Sequence, residues 1–160
     1  MLSNARFAGA MRLFAVAVVA LTVAACANKP ESNINGVAPG SPQDFVVNVG
    51  DRVLFDVDSS SLDASARSTL DGQARWLGQY SQYSLTIEGH ADERGTREYN
   101  LALGARRASA VRDYLASQGV SPGRLRTISY GKERPVAVCS AESCWSQNRR
   151  AVSVVSGAGS

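Results

Sequence analysis

Gly89 to Val111 reads GHADERGTREYNLALGARRASAV, and the rest of the chain is interpreted outward from these 23 residues. They follow Leu85-Thr86-Ile87-Glu88, whose apolar–polar alternation predicts a β-strand. A Gly, the only His of the chain, two acids and an Arg then crowd into a turn, and from Thr96 onward the spacing is helical. At 100° per residue the apolar stripe of that helix is Leu101, Leu103, Ala108, Val111, Tyr114 and Leu115. Arg107 lies inside the stripe, four residues from both Leu103 and Val111, whereas Arg106 lies outside it. A guanidinium on an inner face keeps its proton and needs a partner there. The expected partner is an anion from the preceding turn, and Asp92 is the best placed. An Asp before a helix also serves as a cap or turn residue, so a ligand-gripping pair and a closed structural pair both remain open.

Working outward, Phe45-Val46-Val47-Asn48-Val49 is a short strand candidate, Gly50-Asp51 a turn, and Val53, Phe55 and Val57 alternate as a second strand. Ser59 to Ser61 supply helix caps, and a helix is expected from about Leu62 to Tyr80, with Leu62, Ala66, Leu70, Ala74 and Leu77 on one face. Leu85 to Glu88 is the next strand and Thr96 to Gln118 the second long helix, stopped by Gly119. Leu125 to Tyr130 is a strand, 131–147 a loop, Ala151 to Val155 a final strand, and 156–160 a tail. Strand–helix–strand–helix–strand predicts an α/β fold, an α+β sandwich with two long helices on one sheet face.

The amino terminus is of another kind. Arg6 and Arg12 form a basic region, and Leu13 to Ala25 is an apolar run, shorter than the roughly 20 residues of a spanning helix. It ends in Val23-Ala24-Ala25-Cys26, the form of a lipoprotein signal, with Cys26 as the acylated first residue of the processed chain. Several acyl chains anchor firmly where one is marginal. Ala27, which is not Asp, favours the outer membrane. The division expected is therefore 1–25 signal peptide, 26–43 lipidated Cys and flexible tether, and 44–160 folded domain. The tether, rich in Pro, Gly, Asn and Ser, reaches at most about 55 Å. Removing 1–25 takes away two Arg and no acid, so the net charge of +3 falls to +1. Without a basic stripe interleaved with aromatics, a nucleic-acid partner is not expected.

Taken together, these segments resemble the OmpA-like peptidoglycan-binding domain family. The motifs that carry the resemblance are Gly89-His90-Ala91-Asp92, Gly95-Thr96, Tyr99-Asn100 and Arg107-Ala108, with Leu54-Phe55-Asp56 before them and Tyr130-Gly131-Lys132 and Asn148-Arg149-Arg150 after. It extends from about Asp51 to Val155 and implies a mixed sheet. It also implies that Asp92 and Arg107 grip meso-diaminopimelate of the peptidoglycan stem peptide. Asp92 would take the distal ammonium and Arg107 the carboxylate by a bidentate pair. Phe55, Asp56, Asn100, Asn148 and Arg149 match positions along the ligand groove, although a core Phe, a strand-end Asp and a helix-entry Asn are also ordinary scaffold. The resemblance further implies partners of the Tol-Pal system, TolB above all, and a role in envelope integrity and cell division.

No enzyme is expected, nor any cofactor or metal. His90 has no companion ligand at metal spacing and reads as a turn residue. Cys139 and Cys144, in the loop before Asn148, are expected to form a disulfide in an oxidising compartment, a departure from the broad family pattern. The alternative function is a cell-wall hydrolase working with Asp92 or Glu93 and Glu88, since paired carboxylates can cleave glycosidic bonds. A flagellar-stator or porin domain fits less well, because neither barrel strands nor a long spanning helix is evident.

Overall fold

The computed structural model describes residues 36–157. Cys26 and the signal segment lie outside the described residues.

The chain enters through a short helix α1 (Pro42–Asp44) that runs on as a wider, π-helical turn over Phe45–Gly50. This corrects the strand expected at Phe45–Val49. Ser41 caps the start, its Oγ accepting the Asp44 N–H at 3.1 Å, and Pro42 sits in the first turn. Phe45 is buried and Val49 partly buried, while Val46 and Val47 face solvent. That spacing is i, i+4, and a five-residue apolar run does not distinguish it from a buried strand. Asp44 ties the segment down, accepting from Gly40 N–H, Trp76 Nε1–H and Asn48 Nδ2–H at 2.9, 2.9 and 2.7 Å.

Strand β1 is only Arg52–Leu54, so Phe55 and Val57 fall beyond it. Helix α2 (Ala64–Gln79) is capped by Asp63 and not by Ser59–Ser61; its carboxylate accepts the Ala66 N–H at 2.7 Å. Strand β2 (Ser84–His90) leads to α3 (Arg97–Ser117), which ends before Gly119 at φ 93°. Strand β3 (Leu125–Gly131) follows. The segment expected to be loop contains a helix, α4 (Glu142–Asn148), before β4 (Arg150–Ser156).

The sheet order is β1-β4-β2-β3, with β2 and β3 parallel and the other pairs antiparallel, so the sheet is mixed as expected. Ile87 stands opposite Ser153, whose hydroxyl donates to Gln73 Oε1 of α2 at 2.8 Å. Gly89, two residues on and on the same side of β2, meets Gly104 of α3, where a Cβ on either residue would collide with the other's backbone. Both long helices therefore cover one sheet face. Between them and the sheet lies the core of Val53, Leu70, Leu77, Leu85, Ile87, Val111 and Leu115.

The close Gly89–Gly104 approach positions the site. It presses the first half of α3 onto the carboxyl ends of β2 and β3, and Ser129 Oγ–H adds a bond to the Leu101 carbonyl at 2.7 Å. Asn100, Leu103 and Arg107 are thereby brought under the turn after β2. Leu101, placed in the apolar stripe by its spacing, is about half exposed. The buried face runs instead through Asn100, Leu103, Gly104, Arg107, Ala108, Val111 and Leu115.

Candidate functional site

The turn between β2 and α3 is held from several sides. Ala91 N–H donates to the Gly131 carbonyl at 2.8 Å, which carries the pairing with β3 one residue further. Asp92 Oδ1 accepts the Arg94 N–H at 3.1 Å, an Asx turn. Asn100 Nδ2–H binds the Arg94 carbonyl at 2.7 Å from beneath, and Lys132 Nζ binds the carbonyls of Glu93 and Gly95 at 3.1 and 2.6 Å. Thr96 then caps α3 through the Tyr99 N–H.

Arg107 is fully buried, as its place in the stripe predicts. Its partners are not the anion expected. Nε donates to the Ser59 carbonyl at 2.8 Å, Nη1 to the His90 carbonyl at 2.8 Å and Nη2 to the Asp56 carbonyl at 3.0 Å. The guanidinium also lies over the Phe55 ring, 5.1 Å from its centre. Among the described residues no carboxylate makes a salt bridge with it. Three fixed carbonyls satisfy a guanidinium's hydrogen-bonding need as a carboxylate would, which is why an inner-face Arg did not require Asp92 as its partner. Burial and the neighbouring Arg149 charge draw the Arg107 pKa down to about 10, against the attraction of Asp92 and Asp58, so Arg107 stays charged at neutral pH.

Asp92 is held by two other arginines. Arg94 grips it with both ends of the fork, Nε to Oδ1 at 3.1 Å and Nη2 to Oδ2 at 2.5 Å, and Arg149 Nη1 reaches Oδ2 at 3.3 Å. Burial alone would raise the Asp92 pKa. The hydrogen bonds from the Arg94 side chain and backbone and from Arg149 outweigh it and hold the carboxyl below its usual range.

Asp92 and Arg107 nonetheless share one cavity of about 230 Å³, whose wall also includes Asp58, Arg94, Tyr99 and Asn100. The other expected site residues divide. Asn100 is in that wall. Phe55 lies behind it, with its ring under Arg107 and its carbonyl accepting from Arg149 Nε at 3.0 Å. Asp56 contributes its backbone carbonyl to Arg107, and its side chain is exposed. Arg149 joins Asp92 to Glu142 of α4. Asn148 lies outside the cavity wall. Its Oδ1 accepts the N–H groups of Val136 and Ala137 and its Nδ2–H binds the Ala137 carbonyl, so it pins the loop before α4.

Several residues of the site, Tyr99 of the cavity wall among them, are not among those the sequence singles out for binding. Arg94 carried a usable signal, the i, i+2 spacing after an Asx-turn Asp. Asp58 is the one described non-glycine residue with positive φ, 53°, and it accepts the Tyr99 hydroxyl. Trp145 lies 4.2 Å beneath the Arg94 guanidinium and donates its Nε1–H to Glu93 at 3.0 Å. The Cys139–Cys144 disulfide forms as expected and brackets the start of α4, the element that presents Glu142 and Trp145 to this cluster.

His90 is the last residue of β2, not part of the turn. It is buried and stacked on Tyr130 at 5.6 Å. Among the described residues neither ring nitrogen has a hydrogen-bond partner, Glu88 Oε2 standing 3.7 Å from Nε2. Burial, with the charges of Arg150 and Arg134, lowers its pKa to about 4.

Residues 54–150 match the OmpA family. A peptidoglycan-associated lipoprotein of Mesorhizobium japonicum is 63% identical, over 91% of this chain and 92% of that protein. The crystal structure of the peptidoglycan-associated lipoprotein from Burkholderia pseudomallei superposes with a TM-score of 0.68 at 41% identity, covering 72% of this chain and 100% of that one. The carboxy-terminal domain of Helicobacter pylori MotB shares the fold, with a TM-score of 0.63 at 23% identity over 68% of this chain and 87% of that one.

Proposed function

The chain belongs to the OmpA family, and from that premise we propose that it is an outer-membrane lipoprotein that holds peptidoglycan without cleaving it. The ligand is the distal end of meso-diaminopimelate in the stem peptide, a carbon bearing both an ammonium and a carboxylate. The observation that carries this reading is that one cavity has both Asp92 and Arg107 in its wall. Opposite charges held at two fixed places in one wall select a zwitterion of one polarity, which neither charge selects alone. Arg107 is suited to its part: three carbonyls orient it, yet no carboxylate among the described residues bonds to it. A buried cation with neutral partners gains most from an incoming anion. The relatives named as peptidoglycan-associated lipoproteins support peptidoglycan as the polymer that is bound.

The hydrolase alternative is the weaker one. Acid catalysis at a glycosidic bond needs a carboxyl with a raised pKa. Asp92 and Glu93 are both shifted the other way, Glu93 chiefly by its hydrogen bond from Trp145.

On this reading residues 1–25 are removed, Cys26 carries the acyl chains in the outer membrane, and residues 26–43 tether the domain facing the periplasm. Gly40 and Ser41 are bonded to α1, so the folded domain begins a few residues before the expected boundary at residue 44. Partners are TolB and other Tol-Pal proteins, and the role is in envelope integrity and cell division. The test is co-sedimentation of acyl-free protein lacking residues 1–26 with diaminopimelate-type sacculi. Asp92→Ala should lose about 2–5 kcal/mol and leave the pellet, while exposed Arg106→Ala pellets as wild type does. Folded Asp92→Ala that still pellets would refute the site, and sacculi cleaved during the incubation would restore the hydrolase.

A further inference from the structure

Asp92 is not an open acceptor. Both carboxylate oxygens are occupied by Arg94, at 3.1 and 2.5 Å, and Oδ2 also by Arg149 at 3.3 Å. The two arginines are held very differently. Arg149 is buried, and its other donors are spent on the Phe55 carbonyl and Glu142. Arg94 has a side chain 40% exposed, and its side-chain hydrogen bonds go to Asp92. Its guanidinium rests 4.2 Å over the face of Trp145, with Glu93 and Glu142 close enough for their charge to favour its protonated form. It therefore has somewhere to go: an aromatic platform and two carboxylates lie beside its present position.

We propose that Arg94 is an internal competitor for the ligand's ammonium, occupying Asp92 until ligand binds and then displaced across Trp145 toward Glu142. This rests on the proposed diaminopimelate site and adds a residue that sets its threshold. An ammonium must replace a two-point guanidinium grip before Asp92 accepts it. A ligand end with ammonium and carboxylate together can do so, because its carboxylate gains Arg107 in the same step. A lysine-type stem peptide, which offers the ammonium alone, must displace Arg94 without that gain. Arg94 thus raises the threshold for both ligands without touching either, and only the zwitterion offsets that cost through Arg107. The opposite role, a direct ligand contact, predicts the opposite sign for its removal.

The experiment is isothermal titration of the acyl-free protein with two soluble stem tetrapeptides, one containing meso-diaminopimelate and one containing lysine. Arg94→Ala should bind the diaminopimelate peptide about two- to fivefold more tightly, the range expected for loss of a partly exposed ion pair. It should gain at least as much for the lysine peptide, so the ratio between the two falls or stays level and does not rise. Arg94→Lys, which keeps the charge but not the two-point grip, should lie between wild type and Arg94→Ala, and it stands in if the alanine variant does not fold. Either variant binding diaminopimelate peptide no better than wild type overturns the proposal while leaving the site reading intact. If wild type and both variants fail to bind that peptide at all, the site reading itself has failed and this inference with it.

Discussion

Replacing Arg107 by Ala tests whether this residue builds the domain as well as its site. The side chain is wholly buried and bonds the carbonyls of Ser59, His90 and Asp56, drawing the end of β2 onto the segment between β1 and α2. Alanine leaves all three carbonyls without their charged donor, at about 1–3 kcal/mol for each that stays dry. The site opens on a cavity, so water can reach some of them, and the low end of the range, about 1 kcal/mol each, applies. With the lost stacking on Phe55, the expected destabilisation is about 3–5 kcal/mol. For a domain of this size each kcal/mol shifts the melting temperature by roughly 3–5 °C, so the midpoint should fall by about 10–25 °C. Arg107→Lys keeps the charge but cannot span three acceptors, and should fall about half as far. The assay is thermal melting of acyl-free protein by circular dichroism, without ligand. A midpoint for Arg107→Ala within about 3 °C of wild type would show that the three carbonyls do not depend on Arg107. The same numbers bear on binding experiments, because sacculus binding by this variant is informative only well below its own midpoint.

Three further outcomes are expected. His90 keeps its proton off down to about pH 4 in the fold, whereas in the unfolded chain it takes one up near pH 6.5. Between those values the unfolded state binds more protons, so stability falls as pH is lowered. The loss between about pH 6.5 and 5 should be roughly 1–2 kcal/mol by urea titration, and His90→Phe should flatten it; an equal slope in that variant would assign the effect elsewhere. Gly89→Ala places a methyl against the Gly104 carbonyl of α3 and should cost about 3 kcal/mol or more; a wild-type urea midpoint would contradict the close approach. Cys139→Ser with Cys144→Ser opens a small loop and should cost about 2 kcal/mol, with the change in hydrogen exchange confined to 131–149. Uniform loss of protection across the domain would show that the bridge supports more than α4.

The two long helices and the three long strands were legible because each is long enough for its period to show. Ala66, Leu70 and Leu77 recur along one face and identify α2, whereas Phe45–Val49 is too short for period to choose between helix and strand. The deciding signals there were the Ser41-Pro42 start and the Asp44 carboxylate, whose partners Gly40 and Trp76 are local and remote in sequence respectively. Leu101 failed for a related reason. Hydropathy placed it inside, but α3 turns its small residues inward so that Gly104 can touch Gly89, and that rotation carries Leu101 out and Asn100 in. A helix that meets a sheet by backbone contact is poorly described by an apolar stripe, because its innermost residue has no side chain to count.

At the site, sequence reasoning located the charges and mistook their pairing. Arg107 was found because a cation in an apolar stripe is conspicuous, and Asp92 because it precedes a helix. Joining them assumed that a buried cation is satisfied by charge, whereas the fold satisfies it by geometry, with three carbonyls whose convergence no local spacing reveals. The consequence reaches function. Had Arg107 and Asp92 closed on each other, a zwitterionic ligand would have to break their salt bridge to make two new ones. Instead each has a separate holder: neutral carbonyls for Arg107, and Arg94 with Arg149 for Asp92. On the proposed reading Arg107 accepts the ligand's carboxylate while keeping its carbonyl partners, and only Asp92 must exchange a partner. The barrier to ligand entry is, on that reading, concentrated in one partly exposed side chain, Arg94, and that is where a substitution is expected to alter binding without dismantling the scaffold.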